Sequence, residues 1–132
     1  MINISDDMVI GVVAHDAGAA AHIAHYIEPL QNKILFSLRG PSIDVFKSVL
    51  EEVDIIDLET AILNSDVVIC GTGWQTDFEW RGISISREKK KPVVACIDHW
   101  INYESRFERN YLKVSPSEIW VFDAYAKEIA SS

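Results

Sequence analysis

Four side chains that can exchange protons or accept hydrogen bonds follow two of the most apolar segments of the chain. His15 and Asp16 come after the first of these segments, and Asp98 and His99 come after a later one. A histidine takes up and releases a proton near neutral pH, and a neighbouring carboxylate fixes its tautomer and raises its basicity. The two aspartates could also accept hydrogen bonds from the hydroxyl groups of a sugar. We therefore assign these four residues as candidate catalytic residues.

Glycine and tryptophan residues surround these positions in the sequence. Gly18 follows the first pair, residues 71–74 read Gly-Thr-Gly-Trp, and Trp100 and Asn102 follow the second pair. Glycines let a ligand approach backbone N–H groups closely, and the start of a helix attracts anions. Indole rings could stack on a sugar ring or a base. The predicted ligand-binding residues are Gly18, Gly71, Thr72, Gly73, Trp74, Trp100 and Asn102.

Each assignment has a structural alternative. Glycines commonly serve tight strand-to-helix turns, and a polar residue after a strand commonly caps the next helix, as Asp16 would. His99 could lie on the surface without contacting any ligand. His22 and His25 have the i, i+3 spacing of metal ligands, but the sequence offers no third ligand. We predict neither a metal nor a cofactor.

Short apolar segments alternate with amphipathic segments along the chain. The apolar segments that have the length and composition of buried strands are 8–14, 33–38, 53–58, 66–71, 92–98 and 117–123. The segments between them carry apolar residues at helical spacing, and Ser42 would cap one of these helices. This alternation predicts a three-layer α/β fold with a doubly wound parallel sheet of about six strands, which is Rossmann-like.

The predicted fold brings the candidate residues to one edge of the sheet. Parallel strands present their carboxyl ends at the same edge, and ligands bind there at the point where the strand order reverses. In the common order 3-2-1-4-5-6, strands one, four and five are neighbours, about 4.8 Å apart. His15 or Asp16 would then face Asp98 or His99 across roughly 10 Å, with the Gly-Thr-Gly loop between them. A small polar ligand fits such a gap.

Composition and charge exclude several classes of protein. The chain has 132 residues, 48% of them hydrophobic, which predicts one domain over 1–132 with a sizeable core. Its formal net charge of −8 argues against nucleic acid or an anionic membrane as a partner. There is no run of about 18 apolar residues, so we predict no membrane span, and the acidic start is unlike a signal peptide. Cys70 and Cys96 each end an apolar segment, as small buried residues do, which favours a cytoplasmic protein.

Two segments resemble the N-terminal domain of GT-B-type glycosyltransferases and of the related sugar-nucleotide epimerases and hydrolases. They are SDVVICGTGWQTDFEWRGISISREKKKPVVACIDHWINYESRF at 65–107 and SEIWVFDAYAKEIA at 117–130. The resemblance covers nearly the whole chain as a pattern of strands and helices. It implies an acceptor-side domain in sugar or polysaccharide metabolism, with catalytic help from the first loop, where His15 or Asp16 stands.

The sequence departs from that family in two ways. The glycine-rich first loop is replaced by His-Asp-Ala-Gly-Ala-Ala at 15–20, and the sequence has no counterpart of the C-terminal domain that holds the nucleotide sugar. The resemblance therefore implies a donor-binding partner subunit, a fragment of a longer protein, or a stand-alone fold with another task. Two other hypotheses stay open. One is a stand-alone module, and in that case a homo-oligomer, that binds a nucleotide or sugar without catalysis; the other is a small hydrolase or isomerase that uses the four candidate catalytic residues.

Overall fold

Five short apolar segments form a parallel sheet at the centre of the protein. The computed structural model describes residues 3–72, 77–97, 108–109, 112–113 and 116–121. The strands of the sheet are β1 (Ile10–Ala14), β2 (Ile34–Leu38), β3 (Val67–Gly71), β4 (Val93–Ile97) and β7 (Glu118–Val121), while β5 (Glu108–Arg109) and β6 (Leu112–Lys113) form a separate antiparallel pair. The strand order is β2-β1-β3-β4-β7, and each neighbouring pair in it is parallel.

This order confirms the expected neighbourhood of the strands that carry the candidate site. The first, fourth and fifth predicted strands are β1, β3 and β4, and they lie side by side. The predicted third strand, at 53–58, differs from the prediction. Ile55 forms only an isolated parallel bridge with Phe36 of β2, and the Ile56 N–H donates to the Phe36 carbonyl at 2.8 Å. Strand pairing stops there because the carboxylate of Asp57 caps a helix that begins at the next residue.

Helices cover both faces of the sheet. They are α1 (Ala17–Ile27), α2 (Ser42–Val49), α3 (Leu58–Leu63) and α4 (Phe78–Glu88). Helices α1 and α2 pack on the face that carries Val12, whereas α3 and α4 pack on the face that carries Val13. Successive residues of a strand point to opposite faces, so both layers of helices share the same strands. The result is the three-layer α/β arrangement of a Rossmann-like fold.

The helices of the described ranges are shorter than a helix that crosses a bilayer. The longest of them in the described ranges, α1 and α4, have 11 residues each. Crossing a bilayer takes about 20 apolar residues in a helix. No helix in this part of the chain meets that requirement.

Ser42 does not cap α2 as the sequence predicts. It is the first residue of the helix, it is fully buried, and its side chain makes no capping bond. Its hydroxyl instead donates to the carbonyl oxygens of Ala14 at 2.8 Å and Arg39 at 2.7 Å. The end of β1 and the turn after β2 are therefore tied together by one side chain.

Candidate functional site

The strand order reverses between β1 and β3. The helix after β1 packs on one face of the sheet, and the helix after β3 packs on the other. In doubly wound sheets the connections separate at such a point and form the ligand-binding crevice there. We call this region the β1/β3 crevice and define it by the segments 15–18 and 71–72.

His15 and Asp16 lie together at the β1 side of the crevice. Nδ1 of His15 is 2.7 Å from Oδ1 of Asp16, and the two side chains are 18% and 29% exposed. When Nδ1 donates this hydrogen bond, Nε2 of the neutral ring is the acceptor. Asp16 stands at the N-cap position of α1, yet its side chain makes no capping bond. Its carboxylate orients the imidazole ring, and the pair can accept and return a proton at Nε2.

The ring of His15 packs against the turn between β2 and α2. Gly40 in that turn has φ +58°, and a Cβ there would lie 2.7 Å from Nε2 of His15. Backbone hydrogen bonds hold the two loops in place: the Arg39 N–H donates to the Ala14 carbonyl at 3.0 Å, and the Ser42 N–H donates to the His15 carbonyl at 2.9 Å. The His15 ring therefore fills the space that a side chain at position 40 would need, and this turn fixes the position of Nε2.

A buried carboxylate lies on the β3 side of the crevice. Glu79, in the first turn of α4, is only 1% exposed. Its Oε2 occupies the space that a Cβ on Gly71 would take, and Cβ of Ala19 is 3.4 Å from the same point. The carboxylate therefore lies above the end of β3, between α1 and α4. Its position in a first helical turn is favoured by the helix dipole.

Thr72 and Cys70 form hydrogen bonds from the end of β3 to β4 and to α4. The Thr72 hydroxyl donates to the Cys96 carbonyl at 2.8 Å, and the Cys70 thiol donates to the Glu79 carbonyl at 3.2 Å. Burial raises the pKa of both thiols, and the negative charge of Glu79 raises it further. Both cysteines are thus protonated near neutral pH, which makes them poor nucleophiles.

Arg39 brings a positive charge to the same edge of the sheet. It directly follows β2, and its Cζ atom lies 4.7 Å from the centroid of the Phe78 ring at the start of α4. A guanidinium held over an aromatic face is attracted by the ring quadrupole. The carboxyl ends of β1, β2 and β3 are therefore surrounded by an imidazole, two carboxylates and a guanidinium. Across the described ranges, no three His, Cys, Asp or Glu side chains group as a metal ion would require.

The structure brings five of the predicted site residues together. His15, Asp16 and Gly18 lie at the end of β1 and the start of α1, and Gly71 and Thr72 lie at the end of the adjacent strand β3. The predicted residues that lie outside the described ranges are Gly73, Trp74, Asp98, His99, Trp100 and Asn102. The roles of these six residues stay predictions.

Arg39 and Glu79 are absent from the predicted site. Arg39 follows a strand directly, so the rule that selects His15 would also have selected it. The Gly-Pro sequence after Arg39 is typical of an ordinary turn, so the sequence does not assign Arg39 to the site. Glu79 has no comparable signal, because an acid in a first helical turn is usually on the surface. Only the tertiary contact with Gly71 shows that it is buried.

No protein-family model matches the chain, and no curated protein matches it significantly. The resemblance to GT-B-type domains therefore stays a prediction.

Proposed function

We propose that this chain binds a small polar ligand, a sugar or part of a nucleotide sugar, in the β1/β3 crevice. The observation that carries this proposal is the contact of 2.7 Å between His15 and Asp16 at the point where the strand order reverses. Doubly wound sheets bind their ligands at such points. Both side chains are partly exposed, so a ligand can reach them.

Backbone groups at the start of α1 can complete the recognition of the ligand. The Ala20 N–H donates to the Asp16 carbonyl at 3.3 Å, whereas the N–H groups before it have no partner within the helix. The Asp16 side chain leaves these N–H groups uncapped because it bonds to His15 instead. Gly18 adds no side chain that would block them. Hydroxyl or anionic oxygens of a ligand are suitable acceptors for these donors.

The more specific form of the proposal is an acceptor-side domain of GT-B type. It is supported by the Rossmann-like parallel sheet, by the first-loop pair His15–Asp16 and by the sequence resemblance. In this form the hydroxyl oxygen of the acceptor attacks the anomeric carbon of a nucleotide sugar, and the nucleotide leaves. The hydroxyl proton passes to Nε2 of His15, and Asp16 stabilises the resulting imidazolium. A second domain or a partner subunit would hold the nucleotide sugar.

A thermal-shift screen tests the proposal directly. The panel comprises simple sugars, nucleotides and nucleotide sugars, applied to the wild type and to the His15→Ala and His25→Ala variants. His25 is an exposed histidine of α1 and serves as the matched control. A ligand at about 100-fold its Kd stabilises the wild type by about 2.7 kcal/mol.

We expect His15→Ala to lose this stabilisation and His25→Ala to keep it. A panel without any response, or a response that survives His15→Ala, would show that the crevice does not bind these ligands. The acceptor role further predicts that simple sugars stabilise the chain alone. A nucleotide sugar that binds the chain alone would contradict the donor site in a partner.

A further inference from the structure

Arg39 places a positive charge at the ligand edge of an acidic protein. The chain has a net charge of −8, and Arg39 is exposed. Within the described ranges, no carboxylate lies within salt-bridge distance of the Arg39 guanidinium. The side chain is exposed and can be reached by an anion from outside the chain.

The backbone around Arg39 is fixed on both sides. Its N–H donates to the Ala14 carbonyl at 3.0 Å, and its carbonyl accepts from the Ser42 hydroxyl at 2.7 Å. The next residue, Gly40, lies against the ring of His15. The base of the Arg39 side chain is therefore held next to the His15–Asp16 pair.

The tip of the Arg39 side chain is held as well. Its guanidinium stacks at 4.7 Å over Phe78, whose own side chain is 3% exposed and belongs to the core. A cation–π contact uses none of the N–H donors of the guanidinium, so these donors can bond to a ligand. Those donors form a fork that matches two oxygens of a phosphate. A side chain ordered before binding loses less entropy when the ligand arrives.

We propose that Arg39 binds a phosphate group of the ligand while His15 and Asp16 bind its hydroxyl groups. This assignment rests on the proposed function and narrows it to phosphorylated sugars. The uncapped N–H groups at the start of α1 and the dipole of that helix favour the same negative charge. The phosphate is then recognised by Arg39 and the start of α1, and the hydroxyl groups are recognised by His15 and Asp16.

An NMR titration with inorganic phosphate tests the assignment. The ionic strength is held constant with sodium chloride, and the Nε–H resonance of Arg39 is followed together with the amides of 16–19. We expect saturable shifts in the wild type at millimolar phosphate. Arg39→Gln should weaken binding at least about tenfold, as expected for losing a charged bidentate contact. Arg81→Gln changes an exposed arginine on α4 and should behave as the wild type.

Shifts that do not saturate, or an Arg39→Gln variant that binds phosphate as the wild type does, would overturn the assignment. Arg39→Met provides a second variant in case Arg39→Gln fails to fold. Its apolar side chain can still pack on Phe78, and only the charge is lost. It too should bind phosphate at least about tenfold more weakly.

A comparison of glucose 1-phosphate, glucose and glucuronate separates an ester of phosphate from other sources of charge. Arg39→Gln should weaken binding of the phosphate ester and leave binding of glucose unchanged. Glucuronate that binds where neither phosphate nor its ester does would overturn the choice of phosphate. If ligands bind through His15 but phosphate does not need Arg39, the assignment of Arg39 is wrong and the proposed function stands. If phosphate needs Arg39 but no ligand needs His15, the proposed function fails and the Arg39 site stands.

Discussion

The carboxylate of Glu79 fills the space that a side chain at Gly71 would need. Its Oε2 lies where a Cβ on Gly71 would be built, and Glu79 is 1% exposed. Of the described glycines, only Gly40 has a positive φ, so the backbone of Gly71 does not itself require glycine. The sequence predicts Gly71 as a point of close ligand approach. The structure gives another reason for glycine at position 71. A side chain there would collide with the buried carboxylate of Glu79.

Replacing Gly71 by alanine should therefore destabilise the protein. Overpacking of this kind costs about 1–3 kcal/mol, and urea denaturation measures the loss. Gly18→Ala is the matched control, because Gly18 is exposed in the first turn of α1 and alanine is the better helix former. It should leave the free energy of unfolding unchanged or raise it. An unchanged cost of Gly71→Ala in a Glu79→Ala background would show that the contact with Glu79 is not the cause.

Ser42→Ala should lower the free energy of unfolding, because the Ser42 hydroxyl connects the end of β1 to the turn after β2. The variant removes a hydroxyl whose single hydrogen is shared between the carbonyls of Ala14 and Arg39, and losing such a bond costs about 0.5–1.5 kcal/mol because the Ala14 carbonyl keeps its bond from the Arg39 N–H. Ser48→Ala is the control, since Ser48 lies on the same helix and its hydroxyl bond is exposed. Chemical denaturation of both variants gives the comparison. Equal free energies of unfolding for the two variants would mean that the hydrogen bonds of the Ser42 hydroxyl do not stabilise the protein.

The cap at Asp57 predicts a pH dependence of stability. Its carboxylate accepts hydrogen bonds from the Thr60 hydroxyl at 2.8 Å and the Thr60 N–H at 3.0 Å, and these bonds lower its pKa. A carboxyl whose pKa is lower in the folded state stabilises the fold above its unfolded pKa of about 3.9. This contribution is lost as the pH falls through the lower folded pKa.

Thermal melts of Asp57→Ala and the wild type from pH 7 to pH 2 check this expectation. The difference in Tm should be largest near neutral pH and should shrink in acid. Asp54→Ala is the control, because Asp54 is exposed and makes no hydrogen bond within the described ranges. A difference between Asp57→Ala and the wild type that stays constant in acid would show that the charged cap does not stabilise α3.

The two cysteines should resist thiol reagents in the folded protein. Cys70 and Cys96 are fully buried, and burial raises the pKa of each thiol. Labelling with a chromogenic disulfide at pH 8 should be slow in native buffer and complete in denaturing urea. Raising the pH to 9 should speed the reaction of free cysteine much more than that of the protein. Rapid native labelling would contradict the burial of these side chains.

The central strands were predictable because parallel strands buried on both faces are continuous apolar runs. Residues 8–14 and 66–71 have that pattern and contain β1 and β3. Residues 53–58 have a similar pattern but form a single bridge. Asp57 caps a helix that begins at the next residue, so the segment is too short to pair further as a strand. The sequence predicts Ser42 as a cap from its residue type and its position between a turn and an apolar stripe at helical spacing. The carbonyl of Ala14, which it actually contacts, is brought near only by the tertiary fold.

The candidate site was predictable only in part, for the same reason. Strand ends identify His15 and Asp16, because the topology of a parallel sheet fixes which edge they reach. Their mutual contact, the packing of His15 on Gly40 and the stacking of Arg39 depend on loops that touch across the chain. Sequence spacing does not encode such contacts.

The ring nitrogens of His15 offer the most direct test of ligand binding in the β1/β3 crevice. Nitrogen-15 NMR resolves Nδ1 and Nε2 and reports the hydrogen bond of each, with the ring of His25 as an internal control. With a ligand found by the thermal-shift screen, we predict that the Nε2 resonance of His15 moves to saturation while Nδ1 remains hydrogen-bonded to Asp16. The His25 resonances should not move. A ligand that saturates the protein and leaves both ring nitrogens of His15 unchanged would contradict binding at this site.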